Sequence, residues 1–141
     1  DAPEDKAVDG ALLMMPLVRF IGATDPKWLA TLKAIGEDLS DDGQVYRYRI
    51  DDGLPGQEGT FVACSFWYVE CLARAGRLDE ARLNFEKLLA HANHVGLFAE
   101  EIAQDGSFLG NFPQGFSHLA LISAAFYLDR ALDSDGPREW A

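Results

Sequence analysis

With 141 residues, 48% of them apolar, the chain holds enough for one ordinary domain with a real core. Its formal net charge of -11 excludes nucleic acid and an anionic membrane surface as partners, and leaves a neutral ligand such as a sugar open. The longest apolar run, residues 12–18, is too short to span a bilayer, so no membrane span is expected, and residues 1–9 carry no basic-then-apolar leader pattern.

Residues 1–8, acidic and containing Pro3, read as a loose lead-in. Residues 11–21 (ALLMMPLVRFI) are apolar on nearly every side, which predicts a buried helix, with Asp9 as its cap and Pro16 set to kink or shorten it. Asp25-Pro26 supplies an N-cap and a first-position proline for a helix to about residue 39. Trp28, Leu29, Leu32, Ile35 and Leu39 form one stripe on it, so it is amphipathic and peripheral. Residues 40–57 make a long connection with Asp41-Asp42-Gly43 and DDGLPG as breakers and VYRYRI as extended backbone or a short hairpin.

Residues 58–75 (EGTFVACSFWYVECLARA) are again apolar on almost all faces, with Gly76 as the C-cap. Cys64 and Cys71 in this helix stand roughly 10 Å apart along its axis, beyond disulfide reach. Small buried thiols fit a reducing compartment, and a cytoplasmic location is expected. Residues 79–92 are amphipathic, with Ala81, Phe85, Leu88, Leu89 and Ala92 inward. A second long connection, 93–114, leads to a last buried helix over 115–132, carrying Phe116, Leu119, Leu121, Ile122, Ala125, Phe126 and Leu128. Residues 133–141 are a polar tail.

The order is buried, amphipathic, buried, amphipathic, buried. Connections out of a buried helix are short, and connections back into one are long. With antiparallel neighbours, both long connections fall at one end, beside the N-termini of the buried helices. The expected fold class is all-α: helical hairpins in an inner and an outer layer. Three buried helices make half of a closed ring, to be completed by the rest of a larger toroid or by a second copy.

Residues 96–118 (GLFAEEIAQDGSFLGNFPQGFSH) combine the adjacent carboxylates Glu100 and Glu101, a Gly-rich turn, and the amides Asn111 and Gln114 before a buried helix. That mixture suggests a pocket wall. Read singly, the residues have ordinary accounts: Arg47 stacks between two tyrosines, Glu58 favours a helix N-terminus, and His118 is a hydrogen-bonded core histidine. No Cys/His spacing suggests a metal, and no cofactor is expected. A rival class is a tetratricopeptide-like interaction module, for which CLARAGRLDEARLNFEKLL has the rhythm, but the unit does not recur at the period of about 34 residues such arrays need.

Several long runs carry a resemblance: DGALLMMPLVRF, VYRYRIDDGLPGQEGTFVACSFWYVECLARAGRLDEA, HVGLFAEEI and LGNFPQGFSHLALISAA. In this order they resemble the C-terminal part of the catalytic domain of glycoside hydrolase family fifteen, which contains glucoamylases, glucodextranases and prokaryotic trehalases. The resemblance implies half of an (α/α)6 barrel over residues 1–141 and inverting hydrolysis of a neutral α-glucoside by two carboxyl groups about 6.5–9.5 Å apart. It implies that Glu100, in Ala99-Glu100-Glu101, is the general base and that Arg47 holds sugar hydroxyls. It also places Phe116 on the pocket wall and Glu58 and Glu101 among the substrate-binding positions, while Asn111, Gln114 and His118 receive no role.

The family's general acid lies on an earlier connection to which no part of this chain corresponds, so the chain alone is expected to be inactive. A glucoamylase-like activity is the leading expectation and trehalase the alternative. The expected partners are an α-linked glucose oligosaccharide or disaccharide, the missing N-terminal half of the barrel and, through the exposed apolar edge, another copy of the chain.

Overall fold

Capping chemistry sets the helix boundaries in the computed structural model, which describes residues 8–49 and 59–134. Asp9 Oδ1 accepts the Ala11 amide (2.7 Å) at the head of a 3₁₀ turn, Gly10–Leu13, which runs into α1, Met14–Leu17. Asp25 Oδ1 accepts the Lys27 amide (2.8 Å), and Pro26 takes the first position of α2, Pro26–Asp38. β1, Ser40–Asp41, and β2, Gln44–Val45, form a hairpin. β3, Thr60–Phe61, leads directly into α3, Val62–Arg74. Gly76, at φ +80°, closes α3: its amide donates to the Ala73 carbonyl (3.1 Å) and the Arg77 amide to that of Leu72 (2.9 Å), the Schellman pattern. After α4, Leu78–Leu89, come β4, Glu101–Ile102, and β5, Phe108–Leu109, which make an antiparallel sheet in the order β3-β4-β5, and then α5, Gly115–Asp133.

α3 is the centre. From Val62 to Ala73 every residue but Trp67 is buried. Trp28, Leu32 and Ile35 of α2, Leu39 at its C-cap, and Ala81 and Leu88 of α4 are buried in the same core cluster. α5 runs beside it in the same direction. Moving up both helices together, Trp67 meets Phe116 edge to face (5.5 Å), Ser123 donates to Glu70 (2.6 Å), and the Arg74 guanidinium lies over the Tyr127 ring (3.7 Å). Glu70 is buried, and Arg74 neutralises it through its Nε (2.8 Å). Two parallel inner helices joined by an antiparallel return, α4, are the layering of an α/α toroid, so the fold is all-α with small β elements at one end.

Some expectations fail in detail. The helix over 11–21 is only the 3₁₀ turn and one turn of α1. Pro16 lacks the amide that would bond back to Leu12, the ladder goes one step further with the Val18 amide on the Met14 carbonyl (2.9 Å), and then Arg19 turns left-handed at φ 61°, so that Val18 and Phe20 emerge 62% and 75% exposed. Leu29 and Leu89 are exposed rather than inward, and α4 buries Asn84 on its inner side. α3 starts at Val62 because residues 60–61 are taken by β3. α5 is not buried all round: Phe116, Leu119, Ile122 and Phe126 are 48–65% exposed along one face. The lead-in apart from Val8, the tail apart from Asp133 and Ser134, and residues 50–58, including Glu58, lie outside the described residues.

Candidate active site

Both long connections arrive at the N-terminal end of α3, as the alternation of long and short loops predicts. From the first, the Val45 amide donates to Ser65 Oγ (2.9 Å) in the first turn of α3, and the Gly10 amide donates to the Arg47 carbonyl (2.6 Å). Gly10 lies so close to this junction that a Cβ on it would come within 3.1 Å of Cys64 Sγ. From the second, the Glu100 carbonyl accepts the Val62 amide (3.0 Å) and so caps α3. Arg47 and Glu100 therefore belong to the same end of the helical layers.

The segment carrying Glu100 is built by local chemistry. Asn93 Oδ1 accepts the amides of Val95 (3.1 Å) and Leu97 (2.8 Å), turning the chain out of α4. Phe98 then drops into the core, edge-on to Phe66 (5.4 Å) and His118 (5.7 Å). Its amide donates to His118 Nε2 (3.1 Å) and its carbonyl accepts the Gln114 amide (2.9 Å). Ser117 Oγ donates to the Ala99 carbonyl (2.8 Å), and the Glu100 amide donates to the Asn111 carbonyl (2.9 Å). The backbone of residues 98–100 is thus bonded on one side to the start of α5 and on the other to the start of α3.

At the end of this rigid segment the Glu100 side chain is half-buried. Its Oε2 accepts two hydrogen bonds from one residue, the Asn111 amide at 3.0 Å and Asn111 Nδ2 at 2.9 Å. Oε1 accepts none from the described residues. Glu101 has a different partner: its Oε2 accepts the Gly59 amide (3.2 Å), on the β3 side of the sheet. Neighbouring residues of extended chain face opposite ways, and the two carboxylates do not share a site.

Aromatic rings border this end. Phe108 and Phe112 stack at 5.2 Å, and Phe112, next to Asn111, is 46% exposed. Phe116, half exposed, projects from the first turn of α5, whose Ser117 holds Ala99. Arg47 is exposed, with its guanidinium 6.0 Å from the Tyr48 ring centre. Glu100, Arg47, Glu101 and Phe116 are thus gathered at one end. Among the described residues, no group of three or more His, Cys, Asp or Glu could hold a metal ion. Burial pushes the Cys64 thiol up to about 12, against the pull of Arg47, and raises Cys71 further still; neither is a nucleophile.

Sequence reasoning gave Asn111, Gln114 and His118 no task. The structure gives each a bond to residues 98–100.

The sequence pattern of glycosyl hydrolases family 15 matches residues 2–126. The chain is 48% identical over 139 residues to a trehalase of Mycolicibacterium smegmatis and 50% identical over 129 residues to a trehalase of Thermoplasma volcanium. These matches cover 94% and 90% of this chain but 21% of each relative, so the chain spans about a fifth of the length of the curated relatives it matches. In fold it matches a glycosidase structure with a TM-score of 0.74 at 24% identity, over 89% of this chain and 37% of the other. A glycosidase variant in complex with glucose matches to the same degree.

Proposed function

The chain belongs to glycosyl hydrolase family 15, and we propose that the longer protein it represents hydrolyses a neutral α-glucoside with inversion, trehalose being the substrate. The names of the relatives favour trehalose over the maltooligosaccharide that a glucoamylase-like reading of the sequence put first. In this reading Glu100 is the general base. It draws a proton from a water that attacks the anomeric carbon, while a carboxylic acid outside this chain protonates the departing oxygen. Arg47 and Phe116 hold and flank the sugar, and Glu101 supports the sheet beside it. The apolar face of α5 packs against the remainder of the barrel.

The observation that carries the reading is the Glu100 carboxylate itself. One oxygen is clamped by Asn111, and the group stands half-exposed at the elaborated end of the helices, beside exposed aromatic rings. A carboxylate so held can accept a proton without first reorienting.

Proton NMR of the first turnovers of α,α-trehalose by the full-length protein tests this. Inversion at one anomeric carbon releases one β- and one α-glucose before mutarotation, whereas retention releases only the α-anomer. Glu100→Gln should lower kcat by about 10²–10⁴-fold with little change in KM, since the amide keeps the shape but cannot take the proton. Release of only α-glucose sinks the inverting mechanism, and an unimpaired Glu100→Gln protein sinks the base assignment.

A further inference from the structure

We propose that Asn111 is a positioning residue for the reaction, steering the Glu100 carboxylate so that Oε2 is held and Oε1 meets the attacking water. The proposal rests on Glu100 being the base. A glutamate side chain has three rotatable bonds, and a carboxylate in water has no reason to favour one of its oxygens. Here both donors of a single residue, the Asn111 amide (3.0 Å) and its Nδ2 (2.9 Å), converge on the same oxygen. The contact is reciprocal through the backbone, because the Glu100 amide donates to the Asn111 carbonyl (2.9 Å).

Gly110 completes the cradle. It sits at φ 70°, and a Cβ on it would come within 2.7 Å of Glu100 Oε2 and 3.0 Å of Glu100 Cβ. The turn Gly110-Asn111 therefore fits against the carboxylate closely enough that one added carbon displaces it. A residue kept only to shape the loop would need the turn and not the aim of its amide. Asn111 itself is exposed, so burial does not explain it.

The test compares Asn111→Ala, Asn111→Asp and Glu100→Gln in the full-length protein on trehalose, with thermal melts confirming that each folds. Asn111→Ala removes the Nδ2 bond to a charged acceptor and should lower kcat about 10- to 100-fold at nearly constant KM. Asn111→Asp is close to isosteric but sets a second carboxylate against Oε2, and should be slower than the alanine protein. If the side chain served only the loop's shape, Asp would be the milder change. An Asp protein as fast as or faster than the Ala protein overturns the proposal, and so does a loss confined to KM. Glu100→Gln separates the two levels. If it retains activity, the base reading itself fails; if it is inactive while the Asn111 proteins match the wild type, only the positioning role fails.

Discussion

α3 and α5 are nearly indistinguishable as sequences, both apolar on almost every face, yet they sit in different surroundings. α3 has α4, α5, β2 and the 3₁₀ turn about it, and Phe66 on it is fully buried. α5 has neighbours on one side only. Its buried positions are Ser117, Ala120, Ala124, Leu128 and Ala131, a small-residue face toward α3, whereas the larger Leu119 and Ile122 stand 65% and 63% exposed on the opposite side. Apolarity all round records the full environment in which a helix functions. In the proposed reading, the exposed apolar face of α5 is where the remainder of the barrel packs.

The largest expected effect lies on α3. Phe66 touches Phe85 and Phe98 edge to face (6.0 and 5.4 Å) and so joins α4 and the Glu100 segment to the core. Phe66→Ala should cost about 3–5 kcal/mol, as large-to-small changes at well-packed aromatic sites do. Chemical denaturation of the 141-residue chain measures it. A cost below about 1 kcal/mol would mean that α3 is not the packed centre.

A second test uses the thiol on α3. Burial raises Cys64 from 9.0 to about 12, so the folded state keeps its proton where the unfolded state has lost it. This contribution is complete below pH 9 and falls away as the pH rises toward 12, at about 1.4 kcal/mol per pH unit. Cys71 and Tyr68, both raised by burial, act with the same sign. Denaturant midpoints should therefore decline steeply above pH 9, and less steeply in Cys64→Ala. Equal slopes would show that Cys64 is solvated.

How much of this was legible beforehand depends on the kind of signal. Local signals were read correctly: Asp9, Asp25-Pro26 and Gly76 cap where they should, because capping needs only neighbouring residues. The gathering of both long connections beside α3 followed from loop lengths. The β1-β2 hairpin falls in the connection read as extended backbone or a short hairpin, but the β3-β4-β5 sheet was not seen, since two-residue strands such as Glu101–Ile102 carry no periodicity and exist only because β3 and β5 lie beside them. That the 11–21 run would be shortened was read from Pro16, but its end at Leu17 was not, because the run stays apolar through Ile21 while Arg19 turns left-handed. Glu100 stood out through its motif. Its clamp by Asn111 did not, since a contact across the β4-β5 pair, two strands of two residues each, leaves no periodicity to count. The tetratricopeptide-like alternative loses its basis with the β3-β4-β5 sheet, which ties the loop between α4 and α5 to the head of α3.

The smallest expected effect on the chain's own stability lies on the outer face of α5. Leu119→Glu and Ile122→Glu lie on the exposed face of α5, where substitutions away from packing and caps usually stay within about 0.5 kcal/mol. At concentrations low enough to keep the 141-residue chain monomeric, either should leave the denaturation midpoint almost unchanged. Light scattering should show that the parent chain self-associates and the Glu variants do not, since an apolar stripe of Phe116, Leu119, Ile122 and Phe126 is a ready contact for another copy. In the full-length protein the same substitutions should be severe, because the rest of the barrel would bury the introduced carboxylate without a partner, at several kcal/mol. The two settings thus give opposite results for one mutation. Equal tolerance in both would mean that the stripe faces water in the whole protein as well. The apolar face of α5 would then mark no missing neighbour, and the reading of these residues as one arc of a larger ring would lose its physical support.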